Sequence, residues 1–344
     1  MDVSAKGTPA HTRTLVVSLR QHGPGELEAR GQVLDLRKRG LVPMAANLQT
    51  AGVIHDMHVR ARLDLAPEPR FSAVEVHQPH VAFEPTEATG GECCRDPAER
   101  VRALVGTPLD EAATGRLGEA FGGPLGCSHV LTLTQLLIST VRSGLLLDRA
   151  RHGAIERPAG QRVFDRSLSI DGVLDGDRLQ LVFHQADVHF APGAQRPDTD
   201  PFDRLAERLE LRALAEVEHA AMQLRGLRAW QRHSTVEDFP GAWRERSEAL
   251  SGLAGRSALG GMAGALFQTL GADEADRPLL DCLLNLAPAL IQCIPAMVDG
   301  WEPSGSSGAS ARTLSGGMPD SCYMWRSEGF LVRRMHAQRE ASGS

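Results

Sequence analysis

The chain has 344 residues, 42% hydrophobic and 23% charged, a balance that builds a buried core and excludes a wholly disordered, collagen-like or coiled-coil protein. Its formal net charge of -6 leaves no basic surplus to neutralise phosphates, which argues against nucleic-acid binding. Lys6 and Lys38 are the only lysines and Tyr323 the only tyrosine, so proton chemistry falls to histidine, cysteine and carboxylate, and a small molecule is the expected partner.

The first eighty residues alternate like β-strands. Thr12–Arg20 and Glu26–Leu36 flank the turn signal His22-Gly-Pro-Gly25 and predict a hairpin. Val53–Leu65 and Phe71–His77 predict a second, around Pro67-Glu-Pro69. Asp96-Pro97 reads as a helix start, and Val130, Leu133, Leu136, Leu137, Val141 and Leu145 recur at helical spacing after the loop Gly122–Cys127. Val163–Ile170 and Leu179–Phe190 predict another hairpin. From there to about residue 300 the text reads as helix: Leu205–Trp230, Ala242–Leu253, Gly261–Leu270 and Leu279–Val298. A Ser/Gly-rich linker is expected over 301–321, then a last hairpin, Cys322–Arg326 with Phe330–Met335.

The expected fold class is α+β: a twisted antiparallel sheet with packed helices, followed by a mostly helical segment and a C-terminal hairpin. The chain divides into a β-rich part (1–160), a hairpin and helical segment (161–300), the linker, and a hairpin (322–344) packing on the first part. No internal repeat is expected. Nothing at the N-terminus resembles a secretory signal, and Leu279–Val298 is broken by Asn285, Pro288, Gln292 and Pro295. A cytoplasmic protein with free thiols follows, with no membrane and no nucleic acid as partner. The helical segment is the expected surface for a homo- or hetero-oligomer.

Two clusters hold the candidate chemistry. In His55-Asp56-Met57-His58, alternation puts His55 and Met57 on one face and Asp56 and His58 on the other. Gly126-Cys-Ser-His129 stands where a loop becomes a helix, with Ser128 as the expected N-cap. A thiol there feels the helix dipole, which lowers its pKa, and the same field keeps His129 neutral. Cys94, Cys127, His129 and Cys322 are the candidate ligands for zinc or iron, although no C-x-x-C pair exists. Cys282 and Cys293 fall on one apolar helix face and read as core. Glu207 and Glu210, on the apolar side of the expected Leu205–Trp230 helix, are either general acid/base groups or partners of nearby arginines.

These motifs and their order resemble domain-of-unknown-function family 2889, a bacterial family. The resemblance rests on Arg13–Val17 with Glu28 to Asp35, Ile54-His-Asp-Met57 with Arg60, a cysteine ahead of Leu104-Val-Gly106, Gly126-Cys-Ser-His129 and the Cys322 segment, and covers about residues 12–145 and 321–335. Tyr323 and His58 depart from it, where members carry histidine and an aromatic residue. The resemblance implies a setting among enzymes of aromatic, steroid or acyl-thioester metabolism. A fainter likeness, in layout only, is to iron–sulfur scaffold proteins through Asp56 and Gly126-Cys127, with His55 where a scaffold has cysteine.

Three readings remain open at this stage. The first is an enzyme (hydrolase, lyase or isomerase) acting on a small carbonyl or acyl compound, with Cys127 as nucleophile or His129 as acid/base, completed by His55 and Asp56. The others are a zinc or iron module with Cys/His ligands and a non-catalytic partner subunit.

Overall fold

A computed structural model describes residues 3–40, 42–44, 47–153, 157–193, 205–297 and 319–342. The β-rich opening forms β1 (Thr8–Gly23) and β2 (Glu26–Arg37), then the short β3 (Val42–Met44) and β4 (Asn47–Gln49), then β5 (Gly52–Asp64) and β6 (Arg70–His80). Alternation sorts the faces. Leu15, Val17 and Leu19 of β1, Ala29 and Val33 of β2 and Met57, Val59 and Leu63 of β5 are buried, whereas Val16 and Leu36 on the other face are exposed. Each such side chain contributes about 1.5–3 kcal/mol of burial.

Helix α1 (Ala113–Phe121) and the long α2 (Ser128–His152) follow. The second half supplies β7 (Arg162–Asp175), β8 (Arg178–Phe190), β9 (Leu205–Glu218), β10 (Gln223–Thr235) and β11 (Trp243–Glu245). It continues with α3 (Met262–Leu270), α4 (Arg277–Leu283) and α5 (Leu286–Met297), and the described chain ends in α6 (Phe330–Ser342). One sheet of nine antiparallel strands runs through both halves in the order β11-β10-β9-β8-β7-β1-β2-β5-β6. Helices α2 and α5 lie across its centre on the buried face, with the core between. Two helical stretches, Ser128–His152 and Glu274–Met297, are long and apolar enough to cross a membrane, and both are mostly buried in the fold.

The α+β class and the twisted antiparallel sheet are as expected. Four expected elements differ. Ala242–Leu253 is not one helix: Trp243–Glu245 pairs with β10 as β11, and Ser247–Leu253 is a 3-10 turn. Leu205–Trp230 is a β-hairpin, because Leu209, Leu211, Ala213, Ala215 and Val217 alternate toward the core; the Ala/Leu/Glu/Arg content favours helix, but pairing with β8 decides. Leu279–Val298 is two helices parted at Asn285. The final segment is a 3-10 turn, Tyr323–Trp325, and then α6, with Leu331 and Val332 buried, so the C-terminal hairpin is absent. It does pack on the first part: Trp325 meets Phe83 edge-on at 5.7 Å, Arg326 pairs with Glu92, and the Phe330 ring lies against Gly90. The linker lies mostly outside the described residues.

Contrary to the expectation of no repeat, the second half repeats the first. Each half is four long antiparallel strands followed by a 3-10 turn and helices: Ala98–Leu104 then α1 in one, Ser247–Leu253 then α3 in the other. The joints match bond for bond. Gly106 N–H donates to Phe71 O and Phe71 N–H to Thr107 O; Gly255 N–H donates to Leu224 O and Leu224 N–H to Arg256 O. The two glycines sit in the left-handed region at φ 80° and 81°. Arg13 faces Asp35 across β1–β2 as Arg166 faces Asp187 across β7–β8. Sequence identity between the halves is sparse, at positions such as Leu15/Leu168, Leu104/Leu253, Leu117/Leu266 and Gly122/Gly271, too few to stand out in the text.

Candidate active site

The register of β1, β2 and β5 aligns two rows of polar side chains on the buried face. Arg13, Asp35 and His55 form one row; His11 and Arg37 begin the next. All five are at most 5% exposed. Asp35 is the hub. Arg13 Nη1 lies 3.1 Å from its Oδ2, His11 Nε2 3.4 Å from Oδ1, and His55 Nδ1 3.5 Å from Oδ2. From the helix side, His129 Nε2 comes within 3.4 Å of the same Oδ2, and Thr132 Oγ1 accepts from Arg13 Nη2 at 2.9 Å.

The start of α2 brings the remaining groups. Its N-cap is Cys127 rather than Ser128, with no side-chain cap bond. Cys127 Sγ lies 3.9 Å from His129 Nδ1 and 3.8 Å from Met57 Sδ. The His55 and His129 rings are 3.7 Å apart at their centroids. Gln292, from α5 of the second half, meets His129 Nε2 at 3.0 Å. The site therefore needs both halves.

Electrostatics follow from burial. Burial would raise the Asp35 carboxyl, but the Arg13 guanidinium and the His55 hydrogen bond hold it well below the carboxylate range, so it is ionised. Burial, reinforced by Arg13, lowers His11 to about 4. Burial also lowers His55 against the pull of Asp35, and lowers His129 well below its ordinary value with help from His55. All three imidazoles are neutral near pH 7. Cys127 departs from expectation: burial outweighs the backbone N–H groups of Val130 and His129 and pushes the thiol up to about 12. It rests as a thiol and requires a base.

Stability should then depend on pH with a definite sign. The three histidines bind protons less readily folded than unfolded, so the unfolded chain holds more protons below 6.5 and stability is lost as pH falls from there toward about 4. Below 3.8, the depressed Asp35 adds to the loss. Urea midpoints measured between about pH 7 and about pH 4 should decline throughout; a flat profile in that range would contradict the neutral cluster.

Above these groups opens a cavity of about 520 Å³, walled mainly by apolar side chains such as Ile54, Phe83, Ile291, Ile294 and Trp325. Cys94, Cys127, His129, His55 and Cys322 all line it. Cysteines and histidines distant in sequence thus line one cavity, with Trp325 and Cys322 delivered by the C-terminal segment. Cys94 and Cys322 are neutral thiols, raised by burial. Cys282 and Cys293 are core, the latter with Sγ against Gly172.

Three expected site residues stay outside. Asp56 lies on the opposite face, bonded to Gln32 and His58, as alternation required. Glu207 pairs with Arg151 and His233, and Glu210 with Arg208 and Arg232, all away from the cavity. The sequence reading missed His11, Asp35, Arg37 and Gln292 and gave Arg13 no role. The signal for the strand residues is a charged or imidazole side chain at a core-facing position of an alternating strand, as with Arg13 beside Leu15 and Asp35 beside Val33.

Asp35, His55 and His129 also hold ligating atoms within 4.8 Å of one another, a group able to hold a metal. The other such group among the described residues, Asp148, His152 and His189, already has Asp148 bound to the buried Arg157.

The second half shows which parts are framework. Its Arg166 and Asp187 repeat Arg13 and Asp35, with Asp281 in the place of Thr132. The register puts Phe164 at the position of His11 and Leu209 at that of His55. The buried ion pair is common to both halves; the His11 and His55 imidazoles have no counterpart in the second.

Residues 11–142 match the family model described as "Protein of unknown function (DUF2889)". No curated protein and no solved structure matches the chain.

Proposed function

From the site we propose an enzyme acting on an apolar acyl or carbonyl compound through Cys127, His129 and Asp35; the family model that residues 11–142 match names no reaction. The observation that carries this reading is the alignment Cys127 Sγ, His129 Nδ1, His129 Nε2, Asp35 Oδ2, with gaps of 3.9 and 3.4 Å, on the wall of an apolar cavity. Thiol, imidazole and carboxylate in that order are the parts of a general-base-activated nucleophile, and such contacts are often loose without substrate.

With Asp35 ionised, the proton of neutral His129 belongs on Nε2, facing the carboxylate; the Gln292 amide, whose Nε2 is a donor, then turns its oxygen toward that N–H, and Nδ1 offers its lone pair to the thiol. As Sγ bonds to the substrate carbonyl carbon, the thiol proton passes to His129 Nδ1. Asp35 stabilises the imidazolium so formed. The same proton then leaves with the departing group as its bond to carbon breaks, and water attacks the acyl-enzyme with His129 again as base. His55, also held by Asp35, is a second neutral imidazole beside the reacting groups.

The test is hydrolysis of p-nitrophenyl hexanoate with mass analysis of the quenched enzyme. An acyl adduct should map to the peptide carrying Cys127 and vanish in Cys127→Ala, while His129→Asn lowers the rate by roughly 10²–10⁴-fold. Wild-type rates in Cys127→Ala would overturn the reading.

A second reading, zinc or iron on Asp35, His55 and His129, is favoured by their ligating atoms lying within 4.8 Å. Neutral imidazoles and a carboxylate suit either metal. Against it, a dication would join the buried Arg13 and Arg37 guanidinium groups. Elemental analysis of untagged protein decides: about one equivalent supports this reading, and only traces remove it.

A further inference from the structure

Arg37 has no hydrogen-bond or ion-pair partner for its guanidinium among the described residues. It is 2% exposed, its Nε and Nη1 are buried without a hydrogen bond, and it takes part in no ion pair among the described residues. A buried guanidinium left in that condition is costly, and proteins rarely keep one without an anion to meet it. Every other arginine of this sheet face has its carboxylate: Arg13 has Asp35, and Arg166 has Asp187 and Asp281.

Arg37 also lines the cavity, next to His11 across β1 and one row beyond Asp35. Among the described residues, no aspartate or glutamate lines that cavity. Arg13 is paired with Asp35, and Arg37 remains as a buried guanidinium with no carboxylate beside it among the described residues, in an apolar enclosure. In the second half the corresponding strand position is His189, which has Asp148 at 3.1 Å. The unpaired cation is therefore peculiar to the half that carries His11, His55 and His129.

We propose that Arg37 anchors the carboxylate of an apolar organic acid, so that the ligands of this cavity are monoanions with a hydrocarbon or aromatic body. The proposal deepens the acyl-enzyme reading by naming the class of substrate or product, but it is tested by binding without turnover. It stands if Cys127 proves inert.

The experiment is calorimetric titration of the full chain near neutral pH with 4-phenylbutanoate and with its neutral amide. The acid should bind at least about tenfold more tightly, as expected of a charge-assisted contact. Arg37→Met should remove that preference, and Arg37→Lys should keep part of it. Without ligand, Arg37→Met should melt at a higher temperature than the wild type, because an unpaired buried charge has gone; a purely structural arginine would give a lower one. Cys127→Ala should retain the preference for acid. Equal affinity for acid and amide, binding of neither, or a lowered melting temperature in Arg37→Met would each overturn the proposal.

Discussion

Arg166→Met is expected to cost more stability than any other single replacement in the chain, at least about 3–5 kcal/mol. Arg166 is fully buried, donates to both oxygens of Asp187 at 2.8 and 2.6 Å, and reaches Asp281 Oδ2 at 2.7 Å. Methionine fills much of the volume but leaves buried Asp187 with no cation and, among the described side chains, only the Gln185 amide as a donor, while Asp281 keeps Ser139 and Arg277. Because β7 pairs with β1 at the centre of the sheet, the loss should appear as one cooperative shift in urea denaturation, with both halves affected. Adding Asp187→Leu and Asp281→Leu should recover much of it. A single replacement costing less than about 1 kcal/mol would mean that the interior is not dry.

Asp35→Asn carries the second large effect, and on two measurements. It keeps the shape but removes the anion that compensates Arg13, so stability should fall by about 3 kcal/mol or more. It also removes the group that sets the His129 tautomer, so acyl transfer at Cys127 should fall by roughly 10³–10⁴-fold. Stability can be restored separately: Arg13→Met with Asp35→Leu should refold well and stay inactive. If that double variant turned over at the wild-type rate, the carboxylate would have no part in the chemistry.

The split between legible and illegible features has physical causes. The first two hairpins and α2 were readable because alternation and helical spacing agreed with tertiary burial. Cys127, His129 and His55 stood out as chemically marked residues at an element boundary and on a strand. Asp35 did not, because its meaning comes from strand register: only the β1–β2–β5 pairing puts it between Arg13 and His55. Gln292 was hidden for the same reason, being delivered by the other half of the chain. The helical reading of 205–230 failed because composition there favours helix while the alternation of Leu209 to Val217 serves a sheet, and long-range pairing outweighs local propensity. The Cys127 thiol was misjudged in protonation because a helix start stabilises a thiolate only where water also reaches it.

The relay itself is best measured at His129. In protein labelled with ¹⁵N in its imidazole rings, the nitrogen shifts near neutral pH should report a neutral ring, protonated at Nε2 toward Asp35 and bare at Nδ1 toward a Cys127 that is still a thiol. A doubly protonated His129 facing a thiolate, or a proton resting on Nδ1, would contradict the account.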